Sequence, residues 1–331
     1  MPASYLITGG AGFIGSHLAD ALLARGDDVI ALDDLSTGRL QNLDTARGYG
    51  NFRFAHGSVL DELIVHELVD EADVVVHLAA AVGVKLVIEQ PLRSFTTNIR
   101  GTENVLDAAC RYHRKVFLAS TSEIYGKNNS DALAEDADRL MGSPAIARWA
   151  YSTAKAVDEI LGFAYHKERG LDVVIGRFFN TVGPRQTDVY GMVIPSLVRQ
   201  ALAGRALTVH GTGRQTRCFC HVDDTVNAIL GLLEDERAVG DVFNVGSSDE
   251  ITIHHLAERI IATAGSESLV ELIPYAEAFA SGFEDMLRRV PDTRKLRALI
   301  GWRPTRTLTD ILEQSVADAR LETDRASAKV S

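Results

Sequence analysis

A tyrosine and a lysine four residues apart are the first candidates for catalysis. Tyr151 and Lys155 lie in residues 151–167, whose pattern predicts a helix, so the two side chains share one face. A neighbouring ammonium group favours an ionised phenol and so lowers the pKa of a tyrosine. We therefore expect Tyr151 to act as a general base at neutral pH. The alternative is an ordinary pair on a helix surface.

A second polar group follows the apolar run at residues 116–120. Thr121, Ser122 and Glu123 come directly after this run. Ligands bind at the edge formed by the carboxyl ends of parallel strands. Thr121 can hydrogen-bond a reacting hydroxyl there, while Glu123 is either a structural carboxylate or a second acid or base. This second group strengthens the catalytic interpretation of Tyr151.

A glycine-rich turn lies between the first apolar run and the first helical pattern. Gly9, Gly12 and Gly15 have the spacing G-x-x-G-x-x-G. Glycine lets the backbone turn sharply and approach a pyrophosphate, to which the helix N-terminus offers free N–H groups. Asp33 ends the second apolar run, where a carboxylate accepts hydrogen bonds from ribose hydroxyls. It would repel a 2′-phosphate, so we expect NAD rather than NADP, although Arg39 could pair with that phosphate.

The elements that must position these groups alternate between strands and helices. Apolar runs predict strands at residues 5–8, 29–32, 52–55, 74–78, 116–120, 173–177 and 241–245. Helical patterns predict helices at residues 14–25, 64–71, 97–112, 151–167, 222–234, 252–264 and 308–321. Strands separated by helices imply right-handed crossovers and a parallel sheet. We therefore expect an α/β fold, a Rossmann-type doubly wound parallel sheet with a smaller, partly interleaved α/β substrate domain.

Composition limits the partners of the chain. The 331 residues carry a formal net charge of −11, which argues against nucleic acid and against an anionic membrane surface. Apolar runs are too short for a membrane helix. Three cysteines in a chain of this length favour reduced thiols and a cytoplasmic location. Cys218 and Cys220 lack further ligands at matched spacing, so we expect no metal.

The motifs together resemble those of the extended short-chain dehydrogenase/reductases, the group of nucleotide-sugar epimerases, dehydratases and decarboxylases. The similarity extends from residues 9–15 to residues 301–304. Beyond the residues described above, it rests on residues 33–38, His77-Leu78-Ala79-Ala80, Asn98 and residues 180–185. Relatives often form homodimers through the helices at residues 97–112 and 151–167, so the resemblance also implies a homodimer.

The resemblance implies a bound NAD that oxidises C4 of a UDP-sugar substrate. Tyr151 would take the C4 hydroxyl proton, Lys155 would bind the nicotinamide ribose, and Thr121 would complete the hydroxyl network. The implied NAD ligands are Gly9, Gly12, Phe13, Ile14, Gly15, Asp33, Ser36, Gly38, Ser58, Val59, Leu78, Ala79, Ala80, Asn98, Ser120, Lys155 and Phe178. Ser58 is a departure, because many relatives carry an aspartate there for the adenine amine. Residues 1–178 would form the NAD-binding domain, with residues 208–247 returning to it, while residues 179–207 and 248–331 would bind the nucleotide sugar.

Further residues would bind the substrate. Asn180 and Val193 would hold the nucleotide, and Arg185 is a further expected ligand. Arg217 and Arg288 would meet the diphosphate or a sugar carboxylate. Arg289 is the alternative to Arg288, because the register of this segment is ambiguous by one residue.

The residues at the sheet edge favour one of several reactions of a 4-keto sugar. An acidic residue at Glu123 is similar to dehydratases and to UDP-glucuronate decarboxylases, but Ser122 stands where 4,6-dehydratases usually carry an acid. Residues 148–155 and 215–219 also resemble decarboxylases, and Arg217 matches their arginine acid or carboxylate ligand. Residues 190–195 look more like epimerases. We therefore expect a UDP-glucuronate decarboxylase giving UDP-xylose or its 4-ketose, with a UDP-sugar 4-epimerase and a UDP-N-acetylglucosamine 5,6-dehydratase as alternatives.

Overall fold

The computed structural model describes residues 2–83, 89–187, 192–278 and 286–328. The strands are β1 (Ser4–Thr8), β2 (Asp28–Asp33), β3 (Phe52–His56), β4 (Val74–His77), β5 (Lys115–Thr121), β6 (Val173–Phe178), β7 (Thr181–Val182), β8 (Leu207–His210), β9 (Thr216–Cys218), β10 (Cys220–His221), β11 (Asp241–Val245), β12 (Glu250–Thr252) and β13 (Val270–Ile273). Seven of them form one parallel sheet in the order β11-β6-β5-β4-β1-β2-β3. The predicted Rossmann-type parallel sheet is confirmed.

The longer helices connect these strands and cover both faces of the sheet. The helices are α1 (Phe13–Ala24), α2 (Glu62–Glu71), α3 (Pro91–Phe95), α4 (Gly101–Tyr112), α5 (Ala150–Arg169), α6 (Val193–Leu202), α7 (Val222–Glu234), α8 (Ile253–Ala264), α9 (Tyr275–Ala278), α10 (Arg294–Ile300) and α11 (Leu308–Ala328). A π-helical stretch, Thr96–Arg100, joins α3 to α4. Among the helices of the described ranges, none is long and apolar enough to cross a lipid bilayer.

The central strands are apolar on both faces because each face is covered by helices. In β1, Ile7 belongs to the hydrophobic core on one side of the sheet and Leu6 to the core on the other. Val76 and Val75 of β4 divide in the same way. Alternate side chains of a strand point to opposite faces, so a sheet between two helical layers requires this continuous apolar sequence.

A second, smaller core lies outside the central sheet. It contains Ile194 and Leu197 of α6, Leu256 of α8 and Ile311 of α11. Strand β8 pairs with β13, and β9 pairs antiparallel with β12, so these strands are not part of the seven-stranded sheet. The chain then returns to the sheet, since α7 packs against α1 and β11 pairs with β6.

The strand order creates a crevice at the carboxyl edge of the sheet. Strand β1 lies between β4 and β2, so the chain leaves β1 towards one side and leaves β4 towards the other. Connections that diverge in this way leave an open space above the strand ends, where ligands bind in open α/β sheets. The second core lies across this space, because residues from both parts line the same cavity.

Candidate active site

A cavity of about 1030 Å³ follows the carboxyl edge of the sheet. Gly12 at the start of α1 and Thr121 at the end of β5 line it from the sheet side. Val193 of α6 and His210 of β8 line it from the smaller part. The cavity is therefore large enough for a cofactor and a second ligand side by side, and both parts of the chain contribute to it.

The glycine turn has the geometry that a pyrophosphate requires. Gly9 has a φ of +71°, in the left-handed region that favours glycine. An ideal Cβ on Gly15 would overlap the carbonyl oxygen of Gly9, so this position accepts only glycine without movement. Gly12 caps α1 without a side-chain hydrogen bond, and the first turn carries no acidic residue. The N–H groups at the start of α1 are thus not covered by a side chain, and they suit an anionic ligand.

Asp33 is held at the end of β2 with its carboxylate beside the cavity. It accepts hydrogen bonds from the backbone N–H groups of Ala11, at 3.0 Å, and Leu35, at 2.8 Å. Burial raises the pKa of this carboxyl, and the two N–H groups oppose that effect. An ideal Cβ on Gly38 would lie 2.7 Å from Asp33 Oδ1. Gly38 therefore leaves room for Asp33 and does not line the cavity itself.

Most of the residues expected to bind NAD are brought together. Those that line the cavity are Gly9, Gly12, Phe13, Ile14, Gly15, Asp33, Ser36, Ser58, Val59, Leu78, Ala79, Ala80, Ser120, Lys155 and Phe178. Gly38 and Asn98 do not. Asn98 is fully buried, and its Oδ1 accepts a hydrogen bond from the N–H of Ala81 at 2.7 Å. Asn98 therefore supports the loop that lines the cavity and does not line the cavity itself.

Tyr151 lies beside Thr121, but the shift of its pKa is opposite to the one expected from the sequence. Burial raises the pKa of Tyr151, the charges of Glu123 and Asp158 raise it further, and a hydrogen bond with the Thr121 hydroxyl only partly opposes them. The Lys155 ammonium Nζ is paired with one of these carboxylates, since it donates to Asp158 Oδ2 at 2.9 Å, and the net effect of all these groups is a raised pKa of Tyr151. The expected lowering of the Tyr151 pKa is therefore wrong, because burial and the two carboxylates outweigh the effects that lower it.

Glu123 is the centre of a cluster of charges next to Tyr151. Its carboxylate accepts two hydrogen bonds from Arg148, at 2.5 and 3.1 Å, and Arg289 Nη1 lies 3.4 Å from Oε1. Burial raises the pKa of the Glu123 carboxyl, but Arg148, Arg289 and Arg217 outweigh burial and lower the pKa to about 2. A carboxyl this acidic stays ionised and is a poor proton acceptor. The structure favours a charged positioning group over a second acid or base.

The arginines expected at the substrate divide into two sets. Arg217 of β9 and Arg289 line the cavity, and Arg289 also donates to Asn180 Oδ1 at 2.5 Å. Arg288 does not line the cavity, because its guanidinium points away from it and pairs with Glu250, where Nε lies 2.8 Å from Oε1. The expectation for Arg288 is corrected to its alternative, Arg289. The segment has no periodic pattern, so its register could not be read from the sequence.

The other expected substrate residues lie in the cavity wall. They are Asn180, Arg185 and Val193, and Ser122 also lines the cavity. Arg185 is already ion-paired, since its Nη2 lies 2.7 Å from Asp20 Oδ2, and it has a φ of +66°. This pair ties the loop after β7 to α1. Of the segment that resembles epimerases, residues 190 and 191 lie outside the described residues.

Two charged residues of the site were not singled out from the sequence. Arg148 belongs to residues 148–155, which resemble decarboxylases, but only the folded chain brings its guanidinium to Glu123, 25 positions earlier. Asp158 is one turn after Lys155, a spacing that could have indicated the pair.

In the described ranges, no group of His, Cys, Asp or Glu side chains is arranged to hold a metal ion.

The sequence and the fold match known enzymes over nearly the whole chain. The family model of GDP-mannose 4,6 dehydratase matches residues 6–315. The UDP-N-acetyl-alpha-D-glucosaminuronate decarboxylase of Bacillus cytotoxicus is 41% identical over 94% of this chain and 96% of its own length. The UDP-glucuronic acid decarboxylase 1 of Danio rerio is 36% identical over 94% of this chain and 71% of its own.

A solved structure adds ligands to the comparison. It is a variant of the UDP-glucuronic acid 4-epimerase of Bacillus cereus, in complex with UDP-4-deoxy-4-fluoro-glucuronic acid and NAD. It is 29% identical, has a TM-score of 0.86, and the alignment covers 96% of this chain and 99% of that one. With the matched family model and these relatives, the chain belongs to the extended short-chain dehydrogenase/reductases, in the GDP-mannose 4,6 dehydratase family.

Proposed function

We propose that the protein is an NAD-dependent decarboxylase of UDP-glucuronate. The observation that carries this proposal is the charge cluster beside Tyr151, in which Arg148, Arg217 and Arg289 all act on the single carboxylate of Glu123. Three guanidinium groups around one carboxylate can hold a second anion, and the C6 carboxylate of a hexuronate is such an anion. A hexose with a neutral C6 would gain nothing from this arrangement. The decarboxylase relatives support the same substrate class.

The site fits NAD, which the similar 4-epimerase structure contains. The start of α1 would hold the pyrophosphate, and Asp33 would accept hydrogen bonds from the adenosine ribose. When bound, NAD supplies the reversible oxidation of C4. The carboxylate of Asp33 beside the cavity would repel a 2′-phosphate, which favours NAD over NADP.

Oxidation at C4 turns the uronate into a β-keto acid. The C5–C6 bond then breaks, its electron pair moves to the C4 oxygen as an enolate, carbon dioxide leaves, and C5 is protonated. Tyr151 and Thr121 would donate hydrogen bonds to the C4 oxygen and stabilise the enolate. The raised pKa of Tyr151 suits this step, because a protonated phenol can donate. In the oxidation step the same phenol must accept the C4 hydroxyl proton, which the hydrogen bond with Thr121 and the charge of Arg289 favour by lowering its pKa.

The experiment is turnover of UDP-glucuronate labelled with ¹³C at C6, in the presence of NAD. Proton NMR should detect UDP-xylose or its 4-ketose, and the label should appear in carbon dioxide. Formation of UDP-galacturonate alone, with the label retained, would overturn the proposal in favour of a 4-epimerase. Tyr151→Phe should lower turnover by about 10²–10⁴, the usual contribution of a general base.

UDP-N-acetylglucosaminuronate is a second candidate substrate. The observation that favours it is the 41% identity to the Bacillus cytotoxicus decarboxylase of that name. The same charge cluster would serve both uronates, since they differ at C2 and not at C6. A comparison of kcat/KM for the two uronates decides between them. Turnover of UDP-N-acetylglucosamine without either uronate would indicate a 5,6-dehydratase instead.

We propose that the two parts of the chain divide the ligands. Residues 1–178 would hold NAD, and residues 179–207 and 248–331 would hold the UDP-sugar. The return of the chain to the NAD-binding part begins later than residue 208, since β8 and β9 pair with β13 and β12 outside the central sheet. We assign it from Val222 to residue 247.

We also propose a homodimer formed through α3, α4 and α5. Large apolar side chains are exposed on these helices, namely Leu92 on α3 and Ile160 and Phe163 on α5, with 83%, 61% and 36% of their surface accessible. Light scattering of the purified protein tests this, and Ile160→Lys should shift the mass towards the monomer.

A cytoplasmic location is supported by Cys110, Cys218 and Cys220, which form no disulfide. Localisation of a fluorescent fusion tests it.

A further inference from the structure

Arg177 and Glu159 form a buried ion pair behind the cavity wall that the proposed reaction does not use. The two residues are 7% and 3% exposed, with Arg177 Nε 2.9 Å from Glu159 Oε1 and Nη2 2.8 Å from Oε2. Glu159 Oε1 also accepts from the hydroxyl of Ser120, which lines the cavity. Two parallel hydrogen bonds fix the plane of a guanidinium group. Arg177 is therefore held rigidly, with its Nη1 left for other acceptors.

A buried tyrosine hydroxyl is one of those acceptors. Arg177 Nη1 donates to Tyr125 Oη and to the backbone carbonyl of Glu135, both at 2.8 Å. Tyr125 is 0% exposed, and its Oη lies 2.7 Å from Asn244 Oδ1. Burial raises the pKa of Tyr125 to about 12, so the phenol keeps its proton at neutral pH. Because a guanidinium group can only donate, Tyr125 accepts from Arg177 and gives its own proton to Asn244.

The side-chain amide of Asn244 holds two backbone segments together. Its Nδ2 donates to the carbonyl of Leu133 at 2.7 Å and to the carbonyl of Asp292 at 3.2 Å. Carbonyl groups can only accept, so this end of the amide agrees with a Tyr125 proton on Oδ1. The two segments also pair with each other, since the N–H of Leu133 donates to the carbonyl of Val290 and the N–H of Asp292 donates to the carbonyl of Leu133. Asn244 thus ties this pair to β11 of the central sheet.

The segment held in this way carries Arg289. Arg289 directly precedes Val290, is 7% exposed and lines the cavity. Its Nη1 lies 3.4 Å from Glu123 Oε1, and its Nη2 donates to Asn180 Oδ1 at 2.5 Å. Each step from Ser120 to the backbone of Asp292 is a hydrogen bond of 3.2 Å or less. One buried network therefore joins the sheet side of the cavity to the backbone beside Arg289.

We propose that Tyr125 and Asn244 are positioning residues that set the place of Arg289 in the cavity. They act through the hydrogen bonds to Leu133 and Asp292, and Arg177 fixes the orientation of the Tyr125 hydroxyl. A guanidinium group that has to meet a carboxylate depends on its exact position, since small displacements of a positioning group cost large factors in rate. The proposal rests on the proposed function in assigning Arg289 to the substrate.

The first test measures hydrogen exchange of backbone amides by mass spectrometry and needs no activity. In Tyr125→Phe, Asn244 loses its donor, and we expect the peptides that contain Leu133 and Asp292 to exchange about tenfold faster, the size of one lost buried hydrogen bond. Exchange in α8 should stay as in the wild type. The matched control is Tyr5→Phe, which removes a buried hydroxyl that also accepts from an arginine, Arg25, at 3.4 Å.

Tyr5 lies near the amino end of β1, at the edge of the sheet opposite the cavity, so its variant should leave both peptides unchanged. Unchanged exchange in Tyr125→Phe would overturn the proposal. A uniform rise that includes α8 would also overturn it, because the hydroxyl would then support general stability and not the segment of Arg289.

The second test asks whether Tyr125 acts through Arg289. Tyr125→Phe should lower kcat/KM for UDP-glucuronate about tenfold, whereas Tyr5→Phe should leave it unchanged. In an Arg289→Ala background, Tyr125→Phe should cost less than about twofold more, since the side chain that it positions is already absent. An equal loss in both backgrounds, or an unchanged kcat/KM in Tyr125→Phe, would refute the positioning role. If the wild type does not turn over UDP-glucuronate, the proposed function fails, and the exchange test still decides the role of Tyr125.

Discussion

The pair between Arg148 and Glu123 allows a quantitative prediction about stability. Arg148 is 6% exposed and donates twice to a carboxylate whose side chain is 16% exposed. The perturbation is Arg148→Met, which removes the charge and keeps much of the side-chain volume. It leaves the buried carboxylate of Glu123 with the weaker contact to Arg289, at 3.4 Å.

The expected loss follows from the pKa of Glu123. The arginines outweigh burial and lower this pKa from its usual 4.5 to about 2. At 1.36 kcal/mol for each pKa unit, the difference corresponds to about 3 kcal/mol of folding free energy. Because the pKa is lower in the folded state, this contribution is fully present above pH 4.5 and is lost as the pH falls towards 2. We expect Arg148→Met to lose about 2–3 kcal/mol at pH 7, at or below the lower end of the roughly 3–5 kcal/mol found for breaking fully buried pairs.

The assay is urea unfolding of four full-length proteins at pH 7, namely the wild type, Arg148→Met, Glu123→Gln and the double variant. Each single variant leaves one member of the pair without its partner, whereas the double variant removes both charges. We expect a coupling energy of about 2–3 kcal/mol, so that the double variant is more stable than the sum of the single losses predicts. The Arg148→Met variant should also lose less stability on acidification than the wild type.

Additive losses would refute this reasoning. If Arg148→Met costs the same in the wild type and in the Glu123→Gln background, the loss comes from packing, for example against Trp149, whose ring centroid is 5.6 Å from the guanidinium carbon. In that case Glu123 would not depend on Arg148 for its ionised state.

Three further predictions concern the site. Gly15→Ala should abolish detectable NAD binding by calorimetry, because a Cβ there overlaps the Gly9 carbonyl oxygen, whereas Gly48→Ala, where a Cβ meets nothing within 4 Å, should bind NAD normally. Glu123→Gln should lower the pKa of Tyr151, because the charge of Glu123 raises it. In a pH titration compared with that of Tyr151→Phe, the tyrosinate absorbance of Tyr151 should then appear at a lower pH. An unchanged titration would contradict this prediction. Arg289→Ala should lower kcat/KM by about 10- to 100-fold, because it removes a charged contact in the cavity. Arg288→Ala should change kcat/KM less than about fivefold, because Arg288 forms a surface ion pair. Equal losses would contradict the placement of the two side chains.

The raised pKa of Tyr151 separates the resting protein from the reacting one. Burial and two nearby carboxylates, Glu123 and Asp158, raise the pKa of Tyr151 and keep the phenol protonated at neutral pH. A phenol in this state can stabilise an enolate but cannot accept a proton from a hydroxyl. In the proposed reaction, acceptance of the C4 hydroxyl proton by Tyr151 therefore requires positive charge near the phenol, such as that of Arg289, to outweigh these carboxylates.

The sequence by itself determined the features that depend on local spacing. Short continuous apolar runs, with helical patterns between them, predicted the seven strands and the parallel sheet, because both patterns follow from local backbone geometry. The spacing of Gly9, Gly12 and Gly15 predicted the cofactor turn for the same reason. The i, i+4 spacing of Tyr151 and Lys155 was enough to put both side chains in one cavity.

Only the tertiary structure decided the charge states and the partners. Glu123 is acidic because Arg148 and Arg289 reach it from 25 and 166 positions away, and no local pattern contains that information. The pKa of Tyr151 is raised and not lowered, because folding buries the phenol near the carboxylates of Glu123 and Asp158. Arg289 rather than Arg288 faces the cavity, since the register of a segment without periodicity is set by what it packs against. Long-range contacts and burial set electrostatics, whereas local geometry sets the elements that carry the charges.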